Sequence, residues 1–594
     1  MDAILNVHYG HGSLISRFWR TFVKQSYTRL YTLIAIIFIS VAGYGQSPAT
    51  PARTTDRTKT AGVKPTSKTV TVPMIQSDIR EALGIIENNY IGGKKLDYNE
   101  VFKSTIDSAL HTLDPHSNYF DAKEYEQFNT DQNSRYYGIG ATIGDLSDAN
   151  GKVIATYIKA TFEGAPAHKA GLKYGDKIIE VNGTSMVGKP FNEVRGFLRG
   201  PENTTAKIVV ERLATGKQET VQIIRGAVPQ PSISEWYMIR PGVGYMAMNG
   251  GFNKTTYGEF VQAMTDLKAA GMQQLVIDLR DNGGGLVSQA YRIANAFLRD
   301  GQVVFTQKGR IDGVSERYPA QNRNPDQSPI VILVNRQSAS ASEILAGALQ
   351  DHDRALIVGE NTFGKGLVTY PFQLEQGSML LLTIAKYETP SGRQVQRDYS
   401  NGELYNYLTN GGSFRSEETE TRPKGAEKRT DTGRAVYSGG GIDPDVVVKP
   451  QTIPIERARF QQRIANPVFA FAMDVVLGKV KGLDTYRVTS PITFNYDINA
   501  SDFPITEQVY AAFKQYAADK YKFTAAQIDR ERQFVERTLR TELVTAAFGS
   551  QTSRQVINEY DDQLLKAIGL LPQAQQLARQ AERARAANSK TPSN

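Results

Sequence analysis

The chain of 594 residues contains no cysteine, two tryptophans and six histidines. The absence of cysteine excludes disulfide bridges, thiol nucleophiles and cysteine-ligated metal sites, and it leaves the cellular compartment open. A serine nucleophile usually transfers its proton to a histidine, so the shortage of histidine limits that chemistry. His8 and His11 precede an apolar run near the N-terminus, and His352 stands in the charged stretch DHDR. A lysine base therefore has to be considered as well.

Positive charge is concentrated at the start of the chain. Residues 1–70 hold nine Lys and Arg against two Asp and Glu, or +7, which leaves +1 of the total of +8 for all later residues. Because the body of the protein is close to neutral, its charge does not support nucleic acid as a partner. The length and the 40% of hydrophobic residues predict two or three domains.

An apolar run at residues 30–45 follows four basic residues, Arg17, Arg20, Lys24 and Arg29. This order is typical of a secretory signal peptide, and the run is short for a membrane span of about 20 residues. The long polar region before it also fits an uncleaved anchor with its basic side in the cytoplasm. We therefore expect a signal peptide or signal anchor in residues 1–45, a flexible linker in residues 46–72, and export to the periplasm or cell envelope.

A cluster of three serines lies between two predicted elements. The stretch VILVN at residues 331–335 suits a buried strand, and SEILAGALQ has helical spacing. The unpaired N–H groups and the dipole of a helix start stabilise an anion there, although a serine before an apolar helix is more often only an N-cap. Lys365, in TFGKGLV, becomes a base if burial lowers its pKa, although a lysine between glycines is usually a turn residue.

The stretch SASASEILAGALQD, followed by GENTFGKG, resembles the signature of the carboxyl-terminal processing peptidases, also called tail-specific proteases. The resemblance implies that Ser340 is the nucleophile of a serine/lysine endopeptidase and that Lys365 is its general base. It also implies that Asp351, at the end of the predicted helix, helps to organise the site. Family members often have a glutamine four residues after the lysine, where this chain has Thr369, whose hydroxyl could accept a hydrogen bond from Lys365.

The stretch LVIDLRDNGGG at residues 275–285 predicts a buried strand and a loop whose glycines allow a close approach to a ligand. By itself it fits an ordinary strand-to-helix connection equally well. It resembles the family element DLR-x-N-x-GG, which implies that the oxyanion donors are the amides of Gly283, Gly284 and Ala341. No metal or organic cofactor is implied.

Alternating strand patterns lie between about residues 135 and 226, with one helix near NEVRGFLR. The stretch GAPAHKAGLKYGDKIIEVNG resembles a PDZ domain, and YYGIGATIG resembles its carboxylate-binding loop. The resemblance assigns substrate binding to Tyr137, Gly138, Ile139 and Gly140. A scaffold without a peptide ligand is the alternative. Arg225, where this region rejoins the core, either couples tail binding to the site or is an exposed residue at a strand end.

The predicted fold class is α/β multidomain, and the resemblance implies a ClpP/crotonase-like αβ protease core with an inserted, β-rich PDZ domain. The expected domains are an N-terminal helical cap in residues 73–133, the PDZ domain in 134–227, the protease core in 228–452 and a C-terminal helical extension in 453–594. Low apolar content in residues 398–438 predicts a polar insertion that is solvated or mobile. His116, directly after Asp114-Pro115, is predicted to be a turn residue.

These expectations favour an exported serine endopeptidase that recognises the free C-terminal tails of protein or peptide substrates. One alternative is an inactive relative that serves as a PDZ scaffold, which Thr369 favours. Another is a serine hydrolase of small amides or esters, but that class needs a lysine about three residues after the nucleophile, where this chain has Glu343. The other expected partners are a membrane, through the leader, and further copies of the chain, because the basic helix near the C-terminus is either solvated or oligomeric.

Overall fold

The computed structural model describes residues 70–92, 96–400, 407 and 425–588. The predicted leader lies outside the described residues, as does most of the predicted linker. The chain divides into two compact units, Met1–Val101 and Phe102–Asn594. Within the part that the structure describes, no helix is both long and apolar enough to cross a bilayer.

Helices dominate the region predicted as an N-terminal cap. Helix α1 (Val72–Asn89) lies in the first unit, α2 (Tyr98–His111) runs into the second, and β1 (Asn118–Phe120) and α3 (Ala122–Gln132) follow. Asp121 caps α3: its carboxylate accepts the amide of Glu124, whose own side chain accepts the amide of Asp121. This reciprocal capping box fixes the start of the helix.

A small β-rich domain follows. Its elements are β2 (Arg135–Gly138), β3 (Ala141–Ser147), β4 (Val153–Thr161), α4 (Pro166–Lys169), β5 (Lys177–Val181), β6 (Thr184–Ser185), α5 (Phe191–Leu198), β7 (Thr205–Glu211), β8 (Gln218–Ile224) and β9 (Gly226–Pro229). The main sheet is antiparallel in the order β3-β4-β5-β7-β8, and β2 pairs with β9. Strand β3 is therefore an edge strand, with a strand partner on one side only, and its last amide, that of Ser147, donates to the side chain of Asn466.

The largest domain contains two sheets. Its elements are β10 (Glu235–Arg240), β11 (Val243–Ala247), α6 (Thr256–Ala269), β12 (Gln274–Asp278), α7 (Val287–Phe297), β13 (Val303–Gly309), β14 (Glu316–Pro319), β15 (Ile330–Val334), α8 (Ala341–Asp351), β16 (Ala355–Gly359), β17 (Leu367–Gln373), β18 (Met379–Glu388), β19 (Glu427–Arg429), β20 (Ala435–Tyr437) and β21 (Val446–Val447). The central sheet has the order β10-β11-β12-β15-β16-β21, and only β10 pairs antiparallel. Strand β18 is the centre of an antiparallel sheet with β1, β13 and β17.

The C-terminal helices are α9 (Ile455–Val476), α10 (Glu507–Tyr521), α11 (Ala525–Arg530), α12 (Arg532–Asn558), α13 (Asp562–Gly569) and α14 (Leu571–Asn588). Those from α9 to α12 share a buried cluster with side chains of the small β-rich domain, including Leu146 and Tyr174. The ammonium of Lys159 on β4 lies 2.5 Å from the carboxylate of Glu542 on α12. These helices therefore support the β-rich domain.

Helices α13 and α14 have a different place, because they cover one face of the central sheet. Leu564, Leu571 and Ala574 are buried in one cluster with Val276 of β12 and Val331 of β15. Helices α6, α7 and α8 bury the opposite face. The C-terminal region is therefore helical but not a separate added domain, and its last described helix packs on the core rather than fraying into solvent. A parallel sheet needs both of its faces covered, and here one of the two faces is covered by helices that lie far along the chain from the strands.

The polar insertion is also more closely packed than its composition predicts. In its described part, β19 and β20 form a hairpin, and the Arg434 guanidinium pairs with Asp353 at 2.6 Å and with Asp445. Tyr407 is only 5% exposed. The prediction of a solvated loop is wrong for these residues, because their charges and rings pair with groups of the core.

Candidate active site

The three serines of the cluster differ in what their hydroxyl groups do. Ser338 donates to the carbonyl of Leu279 at 2.8 Å, and Ser342 donates to the carbonyl of Asn282 at 2.9 Å. The hydroxyl of Ser340 donates no hydrogen bond to a described residue, although its oxygen faces the Glu343 amide in a capping box, and the φ of 57° is unfavourable for a residue with a side chain. Such strain is typical of functional positions, so the middle serine is the one available for chemistry.

One buried carboxylate joins the backbone of Ser340 to that of Lys365. Glu343 is fully buried, and its oxygens accept the amides of Ser340 at 2.8 Å and of Lys365 at 2.8 Å. They also accept the Gly364 amide at 2.7 Å and the Thr362 hydroxyl at 2.5 Å. Burial raises the pKa of Glu343, and these hydrogen bonds oppose that shift. The structure therefore brings the predicted nucleophile and the predicted base together.

Our sequence interpretation used Glu343 only to exclude another enzyme class and missed this contact. The spacing S-x-x-E, typical of a capping box, was the signal that could have found it. Tyr387, on β18, gives a second link, because its hydroxyl lies 3.1 Å from the Ser340 carbonyl oxygen and 3.0 Å from that of Lys365. Both links act through the backbone, and no hydrogen bond joins the two reactive side chains. Such bonds are often long before substrate binds.

Burial shifts the pKa of Lys365 in the direction that a general base requires. Burial lowers its pKa, and the charges of Asp114 and Glu343 oppose the shift without cancelling it. Burial and the nearby charges of Lys365 and Arg397 also hold the pKa of His116 well below its usual value. His116 occupies the predicted turn, with its amide donating to Asp114 at 2.8 Å, and its ring lies 2.9 Å from the Tyr407 hydroxyl.

The glycine loop contacts Ser340 directly. A Cβ atom on Gly284, whose φ is +93°, would lie 2.7 Å from the Cβ of Ser340, so a side chain there would collide with the serine. The Gly284 amide already donates to Asn282 Oδ1 at 2.9 Å, so it would have to give up this bond to act as the predicted oxyanion donor. The amides of Gly283 and Ala341 make no hydrogen bond within the described chain, so these two predicted donors are free.

Two predicted residues are not brought into contact with this pair. Thr369 lies on β17 opposite Thr383, beside an irregularity in the strand pairing, and it makes no hydrogen bond to Lys365. Asp351 ends α8, about 15 Å from the start of the helix at about 1.5 Å per residue. Its carboxylate lies 2.8 Å from the Arg393 guanidinium, so it stabilises the far end of the helix instead.

The predicted peptide-binding loop follows β2. Tyr137 and Gly138 pair with β9, whereas the amides of Ile139 and Gly140 donate to no described group. At Gly140, φ is +75° and a Cβ atom would lie 2.4 Å from the Cβ of Ala165. Only glycine fits this close approach, which leaves two amides free at the start of the edge strand β3.

Arg225 does not reach the catalytic domain. It is 6% exposed, and its guanidinium donates to the carbonyls of Phe197 at 2.7 Å and Leu198 at 3.1 Å, at the end of α5. The interpretation of Arg225 as an exposed residue is wrong, and its contacts give no direct support to a link between domains. Its side chain instead caps a helix end within the β-rich domain.

Comparisons with known proteins agree with this arrangement. Residues 242–401 match the model of peptidase family S41, and residues 158–212 match that of the PDZ domain. The chain is 34% identical over 322 residues to the carboxy-terminal processing protease CtpB of Bacillus subtilis (strain 168), covering 54% of this chain and 65% of that protein. The chain thus spans just under two thirds of that relative.

A second relative is the carboxy-terminal-processing protease of Bartonella bacilliformis, which is 33% identical over 305 residues, or 50% of this chain and 68% of that protein. Among solved structures, the photosystem II D1 C-terminal processing protease is 26% identical, covering 66% of this chain and 97% of that chain with a TM-score of 0.33. The predicted α/β class with a PDZ domain and a helical C-terminal region is confirmed.

Proposed function

Because the chain belongs to the carboxyl-terminal processing peptidases of family S41, we propose that it is a serine endopeptidase that cleaves protein substrates near their C-termini. The observation that supports this most directly is the carboxylate of Glu343, which accepts the amides of both Ser340 and Lys365. It holds a serine with a free hydroxyl beside a lysine whose pKa is lowered by burial.

In the proposed reaction, the Ser340 hydroxyl attacks the peptide carbonyl and transfers its proton to the amine of Lys365. The amides of Gly283 and Ala341, at the positive end of α8, stabilise the charge on the carbonyl oxygen. Lys365 then gives the proton to the leaving amine as the peptide bond breaks and an ester forms on Ser340. Water activated by the same lysine hydrolyses the ester.

An acylating probe that reports on the nucleophile tests this proposal. We expect the probe to label Ser340, as mapped by mass spectrometry, and the purified protein to cleave an unfolded substrate with a free tail. Binding of the tailed substrate with neither labelling nor cleavage would support the inactive PDZ scaffold instead.

The pH dependence of cleavage tests the role of Lys365. The base must be neutral, so kcat/KM should rise with pH as Lys365 loses its proton, at a pKa that burial lowers below the usual range of lysine. The charge of Asp114 raises this pKa, so the variant Asp114→Asn should move the rise to lower pH. Asparagine keeps an oxygen for the amides of His116 and Ser117, which Asp114 accepts at 2.8 Å each. An unchanged or upward-shifted profile would contradict Lys365 as the base.

The PDZ domain is proposed to capture the substrate tail. The free amides of Ile139 and Gly140 would bind the terminal carboxylate, while the chain adds as a strand to the open edge of β3. Backbone amides that face a carboxylate make charge-assisted hydrogen bonds, which are about twice as strong as neutral ones.

Replacing the carboxylate of a peptide by an amide should therefore weaken its binding by about tenfold or more, since one amide–carboxylate bond contributes about 1.5 kcal/mol or more. Fluorescence anisotropy with the Ser340→Ala protein measures this without cleavage. The two peptides compared have the same sequence and differ only in ending in a carboxylate or an amide. Equal affinities of the two forms would remove the tail-binding role.

We also propose export to the periplasm or cell envelope, which the basic residues and apolar run of residues 1–45 support. Cell fractionation and sequencing of the mature N-terminus test this proposal. A mature chain that begins after the apolar run would identify a cleaved signal peptide, and an intact membrane-bound chain would identify an anchor. Recovery of the intact chain in the cytoplasm would contradict export.

A further inference from the structure

The loop that carries Gly283 is held by one arginine. Arg280 follows β12, and its guanidinium donates to both oxygens of Asp278, at 2.9 Å and 2.6 Å. The other oxygen contacts of this guanidinium come from α13 and the residue before it. Asp561 Oδ2 lies 2.7 Å from Nη2, and Gln563 Oε1 accepts Nη1 at 2.9 Å. All three guanidinium nitrogens are therefore engaged.

The start of α13 is itself held in place. Asp561 Oδ1 accepts the backbone amide of Leu564 at 3.0 Å and so caps the helix, while the side-chain Nε2 of Gln563 donates to the carbonyl of Val448. Leu564 is fully buried against the central sheet. The helix start is therefore a rigid support for Arg280, which lies 15% exposed between two carboxylates.

The loop has little other freedom near Ser340. Asp281 has a φ of 62°, and its carboxylate accepts the Asn335 side chain at 2.9 Å, while Asn335 accepts the Asp281 amide at 3.0 Å. Asn282 is also anchored, because its side chain donates to the carbonyl of Met248. Arg280 is therefore one of three consecutive anchors of the backbone that leads to Gly283, and its loss would leave that backbone less firmly held. Small displacements of a catalytic donor can lower rates by about 100-fold.

We propose that Asp561, in the C-terminal helical region, is a positioning residue for the oxyanion donor Gly283 and acts through Arg280. The inference rests on the proposed function, since it presupposes an oxyanion at Ser340. It gives the C-terminal helices a role in transition-state stabilisation in addition to their cover of the sheet.

The variant Asp561→Asn tests this proposal, because asparagine keeps the oxygen that caps α13 and removes the charge that holds Arg280. We expect kcat to fall by about 10- to 100-fold with KM unchanged. The double variant Arg280→Met/Asp561→Asn should be no slower than Arg280→Met alone, because methionine removes the guanidinium through which Asp561 acts. Labelling of Ser340 by the acylating probe should still reach completion, which separates mispositioning from unfolding.

The matched control is Glu582→Gln. Glu582 on α14 pairs with Arg299 of the core at 2.9 Å, but both side chains are exposed, so its removal should leave kcat unchanged. The proposal would be overturned if Asp561→Asn kept the wild-type kcat, or if its kcat fell no further than that of Glu582→Gln.

Hydrogen exchange gives a readout that needs no activity. Amides in residues 279–285 should exchange faster in Asp561→Asn than in the wild type or in Glu582→Gln. Unchanged exchange would overturn the positioning role even if cleavage is observed. A different outcome is also informative: the wild-type protein neither cleaves substrate nor reacts with the probe, while Asp561→Asn still exchanges faster. The proposed function would then be wrong, and the contact between Asp561 and the loop would stand.

Discussion

Replacing Ser340 by alanine is expected to abolish peptide cleavage, lowering kcat by about 10⁴-fold or more, because no other serine of the cluster has a free hydroxyl. The fold should persist. The Ser340 hydroxyl donates no hydrogen bond to a described residue, and alanine keeps the Cβ atom that packs against Gly284. The free energy of unfolding should change by no more than about 0.5 kcal/mol.

Lys365→Met should cause a loss of the same size, since methionine keeps the stem of the side chain and removes the amine. Because the nucleophile and its base act as one unit, the double variant should be no slower than either single one. Single-turnover cleavage of a tailed peptide, with urea unfolding as the stability control, measures both effects. Normal turnover by either variant would contradict the serine/lysine mechanism.

Replacing Glu343 by alanine is expected to damage both stability and activity. It would leave four buried donors without their acceptor, and each unsatisfied donor costs about 1–3 kcal/mol. We expect the free energy of unfolding to fall by at least about 3 kcal/mol. Glu343→Gln should also be harmful, because each carboxylate oxygen accepts two donors and an NH₂ group would face one of these pairs.

Urea unfolding and titration of reactive Ser340 measure these effects separately. The control is Glu360→Gln, because Glu360 is a glutamate of the same region whose ion pair among the described residues is with Arg336, at 3.1 Å on the partly exposed surface. That change should cost less than about 1 kcal/mol. Wild-type stability and labelling in Glu343→Gln would show that the carboxylate does not hold the site together.

Much of this arrangement could be predicted locally. The run of residues 331–335 and the helical spacing after it correspond to β15 and α8, because both patterns are continuous and buried. The family motifs then placed Ser340 and Lys365 in one site. The partners of individual side chains were less predictable. Asp351 matches a family position but pairs with Arg393, and Thr369 stands where the family often has glutamine but lies opposite Thr383.

Long-range contacts account for most of what the sequence left open. The hydrogen bond from the Gly284 amide to the side chain of Asn282 depends on a loop conformation that residue spacing alone does not determine. Arg225 looked exposed because it ends a strand, but the carbonyls that it binds belong to a helix earlier in the chain. Likewise, apolar spacing identified the C-terminal helices without showing which surface they cover.

The cover that α13 and α14 give to β12 and β15 also sets the order in which the protein matures. Both helices follow Ser340 and Lys365 by many residues, so the ribosome makes them long after the residues proposed to do the chemistry. Until they emerge, the valines on that face of the sheet lack the apolar side chains that bury them in the finished fold. On the ribosome, the proposed nucleophile and base therefore exist before the helices that cover this face of the sheet.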